Sequence, residues 1–466
     1  MTRLFSLLLL PLLLTSVVHA QKKGNLNPEN HPPFQWTKCT SPTNCTTANA
    51  GLVLDANWRW VHDNNYRTCV EQNRDGTQWW NPAVCDLGDE SPGSSNNCTS
   101  KCLLEGAGDY RWHYGVTAAN TTLTQKLVTR IEFGTNIGSR LFLLEKKDRY
   151  QTFVLLGNEL SFEVDLSTVG CGVNAALGFV AMDADGGVER HRPWNEAGAE
   201  YGTGYCDGWC QDGQRFVGGR AATNKEGVKD SDWQSDGACC PEFAVWNSNA
   251  HSYSMSSHIC EHDDYSPCNG PFCKPGYVHP EDRFTTPECT RYGCEYNPYR
   301  MGAREFYGKG KLVDTTRNFT VVTRWEKDRQ YQFFIQDGKR IDVPAPIWDG
   351  LPKQSGLSED MCAAQADVFS EIDHWLMHEG WTTHQRQVLN RPMVLVMSID
   401  TADWYTWNTW LDSTLLVEDD MDRPGVKRGP CPWEDNEPWT AQAINTQAKV
   451  VWSNMRFGPI GSTIQV

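Results

Sequence analysis

The sequence is poor in positive charge. Its 466 residues carry 42 Lys and Arg against 58 Asp and Glu, a formal charge of −16. That balance argues against a nucleic-acid or anionic-membrane partner and suits a neutral polymer. No stretch after the first 20 residues is apolar for long enough to cross a bilayer, and the run inside those 20 is itself too short. Met1–Ala20, with one Arg, a Leu-rich centre and Val18-His19-Ala20, reads as a cleaved secretory signal. The mature chain is therefore expected to start at Gln21 and to be secreted. Metal-binding spacing is missing too. Neither Cys239-Cys240 nor Cys268-x4-Cys273 is accompanied by paired Cys-x2-Cys and His ligands. Asp183-x-Asp185-Gly-Gly lacks the remaining positions of a calcium loop and reads as a strand end and turn. No metal or cofactor is expected. The chain also lacks internal repeats, a Ser/Thr/Pro linker and a terminal binding module. Length alone suggests two or three domains, but no composition shift marks a boundary, so residues 21–466 are expected to form one domain and act as a monomer.

What is present is cysteine, tryptophan and strand-like alternation. All 18 Cys follow the signal, an even number that implies nine disulfides in an oxidising compartment. Leu160, Phe162, Val164 and Leu166 alternate with Ser161, Glu163 and Asp165, the period of a strand with one buried face. Phe319–Glu326 and Gln330–Gln336 behave alike, and Asp337-Gly338 marks a tight hairpin turn before Lys339–Val343. Met393–Met397 reads as a fully buried strand and Val450–Phe457 as another. Only Glu359–Leu389, opened by Ser358 as N-cap, has helical character. Many strands with long Cys-bearing loops imply a large all-β antiparallel sandwich. Asn44-Cys-Thr, Asn97-Cys-Thr, Asn120-Thr-Thr and Asn318-Phe-Thr are glycosylation acceptors expected on loops. In Trp58-x-Trp60 the two rings share one strand face. An arbitrary Trp pair of this kind is more often core than binding surface.

The stretch from Cys239 to Cys260 carries the chemistry. It runs Cys-Cys-Pro-Glu242-Phe-Ala244-Val-Trp-Asn247 and continues to His258-Ile-Cys260. It resembles the catalytic strand of glycoside hydrolase family 7 cellulases. That family writes Cys-Cys-x-Glu-x-Asp-x-x-Glu, with the first Glu as nucleophile and the last as acid/base. Here the nucleophile position is Glu242, the Asp position is Ala244 and the acid/base position is Asn247. The resemblance runs along the mature chain through Asp55-Ala-Asn-Trp58-Arg-Trp60, Cys171-Gly-Val-Asn174, Met182-Asp-Ala-Asp-Gly-Gly187, Tyr201-Gly-Thr-Gly-Tyr-Cys206-Asp207, Asn297-Pro-Tyr-Arg300-Met-Gly302 and Phe457-Gly-Pro-Ile-Gly-Ser-Thr463.

The resemblance implies a concanavalin A-like sandwich whose stapled loops form a groove or partly roofed tunnel for β-1,4-glucan. It implies the pairs Cys39–Cys45, Cys69–Cys102, Cys85–Cys98, Cys171–Cys431, Cys206–Cys240, Cys210–Cys239, Cys260–Cys289, Cys268–Cys273 and Cys294–Cys362. It makes Trp58 and Trp60 platforms towards the non-reducing end and Trp410 a ring beyond the cleavage point. Asn174, Asp207 and His258 keep family identities, while Arg283, Arg300 and Arg428 fall where the family contacts glucan hydroxyls. For a lone Arg, an ion pair or solvated surface charge is the competing reading. The centre departs from the family pattern. Gly178 replaces a Tyr, Gly208 a Ser and Trp209 a Gln, so that Trp209 is expected to bind substrate in a reshaped pocket, and Asp400 stands nearest the position of a Trp that Trp404 or Trp407 could refill. Two functions follow: a glucan-binding relative with hydrolysis lost or much reduced, or an active β-1,4-glucanase with Glu242 and a substitute acid such as Asp207, Asp183 or Asp400.

Overall fold

The fold is built by strands whose inward residues are large and apolar. In this computed structural model the described residues are 21–72, 78–85, 96–132, 134–210, 213–222, 236–269, 288–290, 292–401, 407–414, 420–421 and 423–464. The strands that matter here are β1 (Pro33–Ser41), β2 (Asn44–Leu54), β3 (Ser139–Lys146), β4 (Asn158–Asp165), β5 (Val173–Val180), β6 (Glu242–Ser248) and β7 (Tyr253–His258). They continue with β8 (Cys294–Tyr296), β9 (Phe319–Trp325), β10 (Gln330–Gln336), β11 (Lys339–Asp342), β12 (Pro392–Thr401) and β13 (Lys449–Pro459).

Antiparallel pairing orders the front sheet β2-β3-β12-β5-β6-β7-β8. The back sheet runs β1-β13-β4-β9-β10-β11, antiparallel except for a short parallel contact between β1 and β13. The β1–β2 hairpin joins the two sheets into one hydrogen-bonded network. Between them lies an aromatic core. Phe179 and Phe243 of the front sheet meet Trp325 of the back sheet at 5.7 and 5.6 Å, and Trp246 meets Phe162 at 6.4 Å. Such edge contacts between fully buried rings add about 0.5–1.5 kcal/mol each beyond area burial.

Most of the strand pattern read from the sequence is present. Asp337 and Gly338 adopt φ of 52° and 71° and close the β10–β11 hairpin. That is the left-handed pair a two-residue turn needs. Eight implied disulfides are formed: Cys39–Cys45, Cys69–Cys102, Cys85–Cys98, Cys171–Cys431, Cys206–Cys240, Cys210–Cys239, Cys260–Cys289 and Cys294–Cys362. Cys268–Cys273 lies outside the described residues. Among the described residues no helix is long and apolar enough to cross a membrane.

Two expectations need correction. The helical region is broken, and it has company. Ser358 does cap Glu359–Phe369, accepting from the Met361 N–H, but Ser370 turns left-handed and ends that helix. His374–Met377, Gly380–His384 and a wide turn over Gln385–Leu389 follow as separate pieces. Tyr110–Tyr114 and Pro438–Ile444 are also helical. Both are too short to show periodicity and rely on local devices, the Asp109 cap and the leading proline. Nor do Trp58 and Trp60 share a strand. Ala56–Trp58 is a single 3₁₀ turn, and Arg59 and Trp60 beyond it are irregular. The Asp55 carboxylate, accepting from the Asn57 N–H, holds that turn.

The feature that positions the site is an irregularity in β6. Phe243 pairs with Phe179, Trp246 with Leu177 and Ser248 with Ala175, all on the core face of β5. Glu242, Ala244 and Asn247 pair with Val180, Gly178 and Ala176, the alternate residues of β5. Val245 is the extra residue, and the same shift appears against β7 between Ala244 and Asn247. Without it, strict alternation would send residue 247 to the core and Trp246 to the groove. Gln332 of β10 reaches across the core, donating from Nε2 to the Val245 carbonyl at 2.7 Å and to Thr323 Oγ1 at 2.9 Å. Replacing Gln332 by Met leaves the buried bulge carbonyl without this donor. The expected loss is about 1–3 kcal/mol in urea unfolding with disulfides intact; an unchanged midpoint would contradict this role for Gln332.

Candidate functional site

The outer face of the front sheet forms the floor of the site. Across it lie His258, Ser256 and Ser254 of β7, then Glu242, Ala244 and Asn247 of β6, then Val180, Gly178, Ala176 and Asn174 of β5. Val394, Val396, Ser398 and Asp400 of β12 complete the row. The centre is flat and unionised. Ala244 faces Gly178, where a Cβ would lie only 3.2 Å from the Phe243 carbonyl. The amide of Asn247 accepts at Oδ1 from Asn174 Nδ2 at 3.2 Å, and Asn174 Oδ1 accepts from the Ser248 N–H at 3.1 Å. That network fixes the amide but offers no ionisable proton.

Glu242 is the one carboxylate on the β6 face. Its Oε2 accepts from the Gly208 N–H at 3.0 Å. Burial, and then the neighbouring Asp207 carboxylate, push its pKa well above the ordinary glutamate value. Asp207 accepts from the Tyr205 hydroxyl at 2.8 Å and from the Trp209 N–H at 3.0 Å. The Arg140 guanidinium lies 3.4 Å from the centre of the Tyr205 ring and donates to Asp55 at 2.8 Å. His258 bonds the Thr290 carbonyl through Nδ1 at 2.8 Å and Ser256 Oγ through Nε2 at 3.0 Å. A carbonyl can only accept, so Nδ1 carries the proton. Burial lowers the ring's pKa and keeps it neutral.

Gly208 and Trp209 act as a unit between two disulfides, Cys206–Cys240 and Cys210–Cys239. A Cβ at Gly208 would stand 2.2 Å from the Cβ of His258, so the close approach that delivers its N–H to Glu242 requires glycine. The half-buried Trp209 ring contacts both His258, at 5.8 Å, and Trp410, at 5.3 Å with the planes 41° apart. Trp58 donates from Nε1 to the Ile137 carbonyl at 3.0 Å and lies under Arg140 at 5.2 Å. Trp60 turns elsewhere, to Thr68 Oγ1 at 2.8 Å and the His62 ring at 4.3 Å.

The arginines sort differently. Arg300 and Arg428 are each only 2% exposed. Both pair with Glu295 and Glu371, and Arg300 also donates to the Gly425 carbonyl at 3.0 Å. The ion-pair reading describes them in this structure. Arg283 and Trp404 lie outside the described residues; the half-buried Trp407 ring packs 4.1 Å from Trp433. Of the substitute acids considered, Asp183 is paired with Arg190 at 2.5 and 2.8 Å. Asp400 pairs with Asn174 across β12 and β5, and Asp207 alone adjoins Glu242. Arg140 and Tyr205 were missed from sequence. An arginine within the apolar Leu141–Leu144 strand was the available signal.

The sequence profile of glycosyl hydrolase family 7 matches residues 23–464. The chain belongs to that family. Among solved structures it is similar to the cellobiohydrolase of Melanocarpus albomyces complexed with cellotetraose, at 45% identity over 96% of this chain and 100% of that one, with a TM-score of 0.85. A family 7 cellobiohydrolase from Daphnia pulex matches at 33% identity over 95% and 100%, also with a TM-score of 0.85. The Humicola insolens endocellulase EGI matches at 27% identity over 95% and 100%, with a TM-score of 0.74.

The raised Glu242 pKa links to stability with a definite sign. Unfolded, a glutamate ionises at about 4.3. Folded, this one keeps its proton to higher pH, so the native state binds more protons between the two values and loses stability as pH rises through that window. Glu242→Gln removes the cost. Its melting temperature should exceed that of the unmodified protein by roughly 1–3 °C at pH 7.5. By calorimetry the difference should vanish at pH 4.5. A lower melting temperature for the variant at pH 7.5 would contradict this.

Proposed function

We propose that this family 7 protein is secreted and holds β-1,4-glucan in its groove, with hydrolysis lost or much reduced. The observation that carries the reading is the bulge in β6: the faces of residues 242, 244 and 247 are kept while two of them are Ala and Asn. A retaining glycosidase needs two carboxyls roughly 5–5.5 Å apart, one to attack and one to protonate the leaving oxygen. Asn247 can donate a hydrogen bond but not a proton. General-acid catalysis contributes about 10²–10⁴-fold, more for a poor sugar leaving group. The flat floor, the Trp58 ring and the polar groups of Asn174, Asp207 and Glu242 suit a planar, edge-hydroxylated chain. The relative bound to cellotetraose supports the choice of ligand. Four acceptor sequons and the leading apolar segment support secretion.

One observation favours residual hydrolysis: a second carboxyl, that of Asp207, adjoins Glu242. Both Asp207 oxygens are engaged, by Tyr205 and by the Trp209 amide, which weighs against a role as mobile acid. Incubation of purified protein with cellohexaose beside Glu242→Gln separates the two. The expected result is binding detectable by calorimetry with no sugar release above the variant. Release that disappears in Glu242→Gln would refute the binding-only reading.

A further inference from the structure

Trp209 has no part in the family resemblance, and its placement has a consequence. Its ring occupies the space between His258, next to Glu242 on the floor, and Trp410. A pyranose sandwiched between two aromatic faces would hold the rings much further apart than the 5.3 Å of the Trp209–Trp410 contact. The Trp209 amide is fixed on Asp207, Gly208 has no room for a side chain, and disulfides hold both flanks. The ring is therefore a built part of the wall. The Trp410 backbone is also fixed, its carbonyl accepting from the buried Arg428 at 3.4 Å.

Resting on the reading above, and on the family resemblance that puts Trp58 towards the non-reducing end of the glucan and Trp410 beyond the cleavage point, we propose that Trp209 closes the groove beyond Glu242. The protein then receives the reducing end of a glucan chain and cannot thread past it. Trp209 is the specificity-determining residue: it rejects sugars or substituents attached beyond that end. The ligand class is a free reducing chain end, as opposed to the interior of a chain. Loss of the acid and closure of the leaving-group side are then two aspects of one change, because no sugar occupies the place where a leaving group would be protonated.

The test compares cellotetraose with cellopentaose reductively coupled through its reducing end to a bulky amine fluorophore, which leaves four intact rings. Both are titrated calorimetrically into the full protein and into Trp209→Ala and Trp209→Gln. The labelled sugar should bind the unmodified protein roughly tenfold or more weakly, the signature of a steric exclusion. Each variant should bind the two sugars with similar affinity. Equal binding of both by the unmodified protein would overturn the closure, as would discrimination that survives in both variants. A large loss of cellotetraose binding in both variants would make Trp209 a platform and also overturn it. Failure of the unmodified protein to bind either sugar would instead remove the glucan reading itself.

Discussion

The bulge at Val245 is the constraint on which the site depends. One extra residue lets β6 give Phe243 and Trp246 to the aromatic core while giving Glu242, Ala244 and Asn247 to the groove. Its carbonyl is satisfied from the opposite sheet by Gln332, so the irregularity is held by the core. Fold and chemistry are separable here. The residues that make the bulge face inward, while residues 244 and 247 face outward and carry no ionisable group. Nothing in the packing requires a carboxylate at 244 or 247, so the fold does not depend on one being there.

The electrostatics of the centre follow from that separation. Glu242 has no acidic neighbour on its own strand, yet it is hard to ionise because it is partly enclosed and faces Asp207. Asp207 is tied into a run of interactions through Tyr205 to Arg140, Asp55 and Trp58. That run joins Trp58 to Glu242. Beside them the Asn174 and Asn247 amides are neutral donors and acceptors, which suits them to holding hydroxyls.

Much of this was legible in the sequence, for physical reasons. Inward alternation survives as a pattern because it is local and repetitive, so the strands could be anticipated; the eight disulfides follow the pairing that the family resemblance implied. The bulge could not be derived from alternation alone. Period-2 reasoning puts Trp246, not Asn247, on the face of Glu242, and only the partner strands reveal the extra residue. Trp58 and Trp60 looked like neighbours on a strand because the 3₁₀ turn beneath them depends on Asp55, itself held by a distant Arg140. Arg300 and Arg428 looked available for sugar because Glu295 and Glu371 are partners in space, and Glu371 is distant in sequence from both. The Trp209–Trp410 contact joins residues some 200 positions apart and was beyond reach.

The most direct measurement is cellohexaose turnover after the centre is rebuilt. Ala244→Asp and Asn247→Glu are combined with Trp209→Gln, and Glu242→Gln is made in the same background. If the bulge still presents these positions correctly, turnover should rise by about 10² or more over the unmodified protein and disappear with Glu242→Gln. A rebuilt protein no faster than the unmodified one, with cello-oligosaccharide binding intact, would contradict the proposal that the missing carboxylates and the Trp209 wall together separate this groove from a working active site.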